Sequence, residues 1–265
     1  MKKIRFYFTI IKIYMNNQMQ NKTYIFLNIF NMISRCFVVF LLYKYAFNIN
    51  GSCISRIDYK TTLWSMFIYF CVMTLNIRRI VDIIMVDVKS GNVEMFLNKP
   101  ISYIKLCICK VIGQGIYSFV VIGMGGTIIM ILLVGLPQIN MCLFIPSIVI
   151  TLLLGIILSL LLYSCIGLLS FFMQDVRPLY WIVDKLVMVL GGSYLPVIMF
   201  PWFVKLIAYT SPFGAINFAT STVYEFWNSK FVARVGLQIL WIFVFGMLLR
   251  TVYKKACEKA MINGG

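Results

Sequence analysis

Histidine is absent from all 265 residues, and acids are scarce, with Asp plus Glu at 8 against Lys plus Arg at 24. Without histidine there is no Ser-His-Asp or Cys-His nucleophile, no His-containing zinc site and no imidazole proton shuttle. The cysteines, at 36, 53, 71, 107, 109, 142, 165 and 257, include no CxxC pair. Most sit in apolar stretches and read as small buried hydrophobes. Cys53 alone is expected on the outer side, so no disulfide framework is anticipated. A phosphate loop of the GxxxxGK[ST] type is missing. Gly123-Met-Gly125-Gly126 lies inside an apolar run with no following lysine and reads as a helix-packing site. Any ATP must therefore be handled by another chain, and no catalytic residue, metal site or cofactor is assigned to this one.

What is present is apolar. Hydrophobic residues make up 62% of the chain and charged residues 12%, with a mean hydropathy of +0.92. Soluble domains average about 45–50% apolar and about 25% charged, so this is an integral membrane protein. In a soluble protein the net charge of +16 would point to nucleic acid. Here the cations flank membrane spans, and no nucleic-acid partner is expected.

Residues 1–22 place Lys2, Arg5, Thr9, Lys12 and Asn16 on one helical stripe, which predicts an interfacial helix rather than a span. Crossing the hydrocarbon takes about 20 helical residues. Six segments qualify, at roughly 24–46, 61–84, 110–135, 143–172, 179–200 and 232–250. The predicted fold is an all-α integral membrane protein whose residues 1–265 form a single transmembrane domain. With the N-terminus inside, most cations fall on cytosolic segments. Only Lys44, Arg56, Lys60, Lys205, Lys230 and Arg234 fall outside, which favours both termini in the cytosol.

Three places depart from plain apolar helix. The first is 86–102, where Ser90-Gly91 ends one helix and Pro100 limits the next. Between them Val93, Phe96 and Leu97 share a face, with Glu94 and Lys99 adding charge. This short amphipathic helix suits a groove on a partner protein, or serves as a connector resting on the membrane. The second is 191–222, where Gly191-Gly192, Pro196, Phe200-Pro201 and Pro212-Phe213-Gly214 interrupt apolar sequence. Broken backbone at membrane depth survives only when buried in protein or lining a cavity. The expectation is short helices dipping into the outer leaflet, against an external loop with a few apolar anchors. The third is a set of charges inside spans, Arg35 and Asp184-Lys185. Arg35 either pairs with Asp184 or lines a substrate path. Small residues Gly113, Gly115, Gly155 and Ser159 permit close helix approach, within the chain or across a dimer seam.

The run VKSGNVEMFLNKPISYIKL resembles the junction of the second and third spans in ABC-2 type transporter permeases. The run VLGGSYLPVIMFPWFVKLIAYTSPFGAINF is similar to that family's pattern near the fifth span. The resemblance implies the transmembrane half of an ABC exporter, working as a homo- or heterodimer with two separate ATPase subunits that bind ATP and Mg. It implies a coupling helix at Gly91, Val93, Glu94, Phe96, Leu97 and Pro100, and a second cytosolic contact at Asp175 and Arg177. It also implies external re-entrant helices carrying Gly192, Pro196, Phe200, Pro201, Pro212 and Phe213. A bacterial cytoplasmic membrane location follows from the same resemblance. The cargo is expected to be hydrophobic or amphiphilic: a peptide, a drug-like metabolite or a lipid-linked molecule. An ion-driven secondary transporter or a channel subunit is the alternative. It would ordinarily show an internal repeat and several intramembrane carboxylates, whereas Asp184 is the one clear candidate.

Overall fold

The structure is a computed structural model that describes residues 2–50, 53–54, 57–97, 101–137, 140–224 and 230–263. Its α-helices are Lys2–Gln20 (α1), Lys22–Asn50 (α2), Tyr59–Met73 (α3), Arg79–Lys89 (α4), Val93–Leu97 (α5) and Tyr103–Val134 (α6). They continue with Met141–Leu168 (α7), Arg177–Leu190 (α8), Trp202–Thr210 (α9), Pro212–Ala215 (α10) and Phe231–Asn263 (α11). Short 3₁₀ turns occupy Leu169–Phe171, Val197–Met199 and Phe218–Val223. A two-residue antiparallel pairing of Cys53–Ile54 with Ile57–Asp58 is the exception to an otherwise helical molecule among the described residues.

Among the described residues, four helices are long and apolar enough to cross a membrane: Lys22–Phe47, Tyr103–Val134, Cys142–Phe171 and Phe231–Lys259. They correspond to the expected first, third, fourth and sixth segments. The second segment, expected as one helix over 61–84, is divided. α3 ends at Met73, Asn76 adopts a left-handed φ of 48°, and α4 restarts at Arg79. Asparagine tolerates that conformation because its short polar side chain bonds locally, and here Arg78 Nε donates to Asn76 Oδ1 at 3.3 Å. The fifth segment, expected over 179–200, stops at Leu190, where Gly192 takes a φ of 81°. The two shortened helices, α3 with 15 residues and α8 with 14, reach about 21–23 Å, less than the ~30 Å hydrocarbon thickness.

The shortness of α3 is matched by burial, whereas α8 buries only Val187 and Leu190 and exposes Trp181, Ile182, Leu186 and Val189. Every residue of α3 from Thr62 to Cys71 is buried, whereas α2 presents exposed Phe26, Phe30, Ile33 and Phe37, as a lipid-facing helix would. The main core joins Ile80, Val81, Ile84 and Met85 of α4 to Leu158, Leu162 and Leu168 of α7 and to Tyr103, Cys107 and Val111 of α6. The small residues seat neighbouring backbone within the chain. A side chain at Gly113 would strike the Ile11 carbonyl at 2.6 Å, so α1 crosses α6 there. Gly115 faces the Leu75 carbonyl, and Gly155 the Ile216 carbonyl. Ser159 is buried and bonds back to the Ile156 carbonyl at 2.8 Å. Of the two uses open to these residues, packing within one chain is the observed one. Cysteines 71, 107, 109 and 165 are buried free thiols.

Candidate functional site

The junction of α4, α5 and α6 is a braced corner. α4 is amphipathic: Ile80, Val81, Ile84 and Met85 face the core, while Asp82, Val86 and Lys89 are exposed. The helix stops at Ser90 because Gly91 turns to a φ of 71°, a conformation at which only glycine avoids Cβ strain. Glu94 N then donates to the Gly91 carbonyl at 3.2 Å and starts α5. Tyr103 Oη donates to Asp87 Oδ2 at 2.9 Å, tying the last turn of α4 to the first turn of α6. The Phe96 ring rests against the Tyr103 ring at 5.8 Å, with Lys110 Nζ 5.5 Å from its centre.

This arrangement corrects one expectation. Val93, read as an anchor for a partner groove, is 2% exposed and belongs to the chain's own core. A five-residue helix beside a large apolar cluster lowers its free energy by burying its valine at home. Phe96 is half-buried for the same reason. The groups presented outward are Gly91, Asn92, Glu94 and Met95, together with Val86 and Lys89 of α4. Leu97 ends α5, and Pro100 lies outside the described residues.

The turn before α8 lies against the same core. Asp175 Oδ1 accepts from Arg177 N at 3.1 Å, which shapes the entry into α8 ahead of Pro178. Val176 is fully buried in the cluster that contains Val93. Asp175 and Arg177 are exposed, and so are Phe172 and Met173 just before them. α4 packs on both α6 and the 3₁₀ turn Leu169–Phe171, so one helix connects both exposed surfaces.

Asp184 does have a cationic partner, but it is not Arg35. Arg78 Nη1 meets Asp184 Oδ2 at 3.2 Å, and Tyr163 Oη donates to Asp184 Oδ1 at 3.1 Å. The pairing of Arg35 with Asp184 is therefore replaced by one that the break after α3 creates, because that break delivers Arg78 to α8. A cavity of about 50 Å³ adjoins the pair, walled by Val72, Ile77, Ser159, Val187 and Ile216 among others. Arg35 is exposed and lines a separate hollow of about 190 Å³ shared with Arg78, Asn28, Asn31, Thr74 and Asn76.

The interrupted stretch after α8 is held by side chains of its own and by others from α3 and α11. Asn217 Nδ2 donates to the Val187 carbonyl at 3.3 Å, beside Gly191. Gln238 Nε2 reaches the carbonyls of Thr151 at 3.1 Å and Ala215 at 2.8 Å. Ser65 Oγ donates to the Thr220 carbonyl, and Trp241 Nε1 to the Thr210 carbonyl, at 2.8 and 3.0 Å. Thr210 and Ala215 end their helices, so Trp241 and Gln238 satisfy backbone there that a continuous helix would have satisfied itself. Phe218–Val223 is entirely buried between α3 and α7. Of the expected positions, Gly192 makes the turn, Pro196 is buried and Phe200 packs on the Leu190–Val197–Ala208 cluster. Pro201 precedes α9. Pro212 opens α10, where Ser211 Oγ accepts from Gly214 N, and Phe213 packs beside them. Along α9, Trp202, Phe203, Leu206 and Ile207 are exposed.

Sequence reasoning overlooked Gln238, Tyr163 and Arg78. Gln238 is an isolated amide in a long apolar run, and such isolation was the available signal. By sequence Arg78 is only one of the many cations on cytosolic segments. The pattern of the family described as ABC-2 family transporter protein matches residues 29–264. No curated protein matches the chain.

Proposed function

The chain belongs to the ABC-2 family of transporter proteins, and on that premise we propose that it is one transmembrane half of an ATP-driven exporter. It pairs with a second permease subunit and binds two separate ATPase subunits, which hold ATP and Mg and supply the energy. It lies in a bacterial cytoplasmic membrane with both termini in the cytosol. α3, enclosed by its neighbours, and the half-exposed α8 complete six crossings as short helices, and α1 rides in the interface. The segment from Gly191 to Thr222 dips into the outer leaflet with the exposed side of α9 toward lipid. The cargo is hydrophobic or amphiphilic.

The observation that supports this most is the α4–α5–α6 corner, anchored on its inner side by Val93 and Tyr103 and exposed at Glu94, Met95 and Val86. An element welded inward moves as a rigid body when pushed from outside. Displacement at Met95 passes through Val93 to α4, then to α7 where Ile84 abuts Gly167, and through Tyr103 to α6. Asp175 and Arg177 provide the second contact with the ATPase. The test is co-purification of the chain with its ATPase, and nucleotide hydrolysis by the complex, after Met95→Asp or Glu94→Lys. Loss of the ATPase from a protein that still inserts and melts normally is the expected result. Undiminished co-purification for both variants, or cargo movement driven by an ion gradient alone, overturns the reading.

A further inference from the structure

Tyr24, Asn28, Asn31 and Arg35 follow one another at intervals that put them on a single face of α2, a helix otherwise apolar enough to cross a membrane. All four line the 190 Å³ hollow, and Asn76 and Arg78 close it from the break between α3 and α4. Arg35 lies about 20 Å along α2 from its first residue at 1.5 Å per residue, where a guanidinium costs about 2.5–3.5 kcal/mol to insert. No carboxylate is among the residues lining the hollow. Asp184, the carboxylate nearest in this network, already engages Arg78 from the other side. The hollow thus holds two cations and neutral amides with one unit of uncompensated charge, and the Asn28 amide nitrogen is shielded from solvent without a hydrogen-bond partner. Outside it, Phe26, Phe30 and Ile33 of the same helix are exposed and apolar.

We propose that this hollow binds the anionic headgroup, phosphate or carboxylate, of an amphiphile whose tail lies along the exposed apolar face of α2. Arg35 supplies the free guanidinium, whose planar fork suits a bidentate oxyanion. Arg78 adds its remaining donors, and Asn31 and Asn28 supply amide polarity. The volume is well above the roughly 10–15 Å³ that one water needs, so a headgroup can displace the solvent that otherwise shields two like charges. The anion comes either from a bilayer phospholipid or from the cargo. In the second case the inference rests on the transport function proposed above and narrows its substrate to acidic amphiphiles.

The purified full chain, without its ATPase, is mixed with dodecyl phosphate or with uncharged dodecyl maltoside, and retained adducts are counted by native mass spectrometry. One dodecyl phosphate per chain is expected to be retained in preference to the maltoside. Arg35→Gln lowers that affinity by roughly tenfold or more, the value of a charge-assisted hydrogen bond. Arg35→Lys, which keeps the charge but loses the fork, falls between that variant and the parent chain, and Lys44→Gln, on the same helix, changes nothing. Equal retention of the two amphiphiles, or retention unaffected by both Arg35 variants, overturns the proposal. Adding phosphatidylglycerol identifies the source: displacement of dodecyl phosphate assigns the site to a membrane lipid, and persistence assigns it to cargo. Because no ATPase is present, failure here leaves the docking test unaffected, and failure of docking leaves this measurement standing.

Discussion

Replacing Asp184 by Asn removes one charge at constant shape and tests how the break after α3 is held. The carboxylate receives Arg78 Nη1 at 3.2 Å and Tyr163 Oη at 3.1 Å, and its side chain is 12% exposed. Breaking a buried ion pair from one side costs about 3–5 kcal/mol, most of it from the stranded partner charge. Arg78, however, is 35% exposed and borders the larger hollow, so hydration recovers part of that penalty. We expect about 2 kcal/mol for Asp184→Asn and about 1 kcal/mol for Tyr163→Phe, which loses one hydrogen bond. The double variant Arg78→Gln with Asp184→Asn removes both charges, so a coupling of about 1.5–2 kcal/mol is expected. Reversible unfolding in mixed micelles of increasing SDS fraction, followed by tryptophan fluorescence, measures all four corners of the cycle: the parent chain, Asp184→Asn, Arg78→Gln and the double variant. Single effects that add within about 0.5 kcal/mol, or stronger coupling of Asp184 to Arg35 than to Arg78, would refute the pairing.

Gly115→Ala places a methyl on the Leu75 carbonyl and is expected to cost about 1–3 kcal/mol by overpacking. Gly125→Ala, with nothing within 4 Å of its new atom, should instead be neutral or stabilising by up to about 1 kcal/mol; melting in detergent compares the two. Gln238→Leu strands the Ala215 carbonyl and should destabilise by about 1–3 kcal/mol, with faster amide exchange across residues 211–223 as the local readout. Val93→Asp should lower both the melting temperature and ATPase co-purification, because Val93 is a core residue. Met95→Asp should lower only the second, and an unchanged melt for Val93→Asp would contradict the buried placement.

The long apolar helices were readable because twenty or so consecutive hydrophobic residues leave one economical solution in lipid. The stop at Gly191–Gly192 and the short helices after it were readable for the complementary reason, since Gly and Pro have few ways to continue a helix. The division of 61–84 was harder. Thr74, Asn76 and Arg78 appear as polar punctuation at the end of a span, and a left-handed asparagine leaves no mark on a hydropathy pattern. The partner of Asp184 was hidden by the same break, because which cation reaches it depends on where the chain turns. Which face of α5 points inward was equally hidden, for five residues carry an amphipathic pattern that does not say whether the core or a partner receives it. Gln238 shows the limit from the other side: its isolation was visible, but its acceptors lie 87 and 23 residues away.

Two helices too short to stand alone impose a schedule on biosynthesis. α3 emerges early from the ribosome, yet the walls that enclose it include α6 and the turn Phe218–Val223, translated roughly 30 to 150 residues later. Until those arrive, Ser65 lacks the Thr220 carbonyl, and a 15-residue helix must wait beside the translocon with insufficient length to settle. A chain truncated before residue 218 should therefore be a substrate for membrane proteases, however well its first span has inserted.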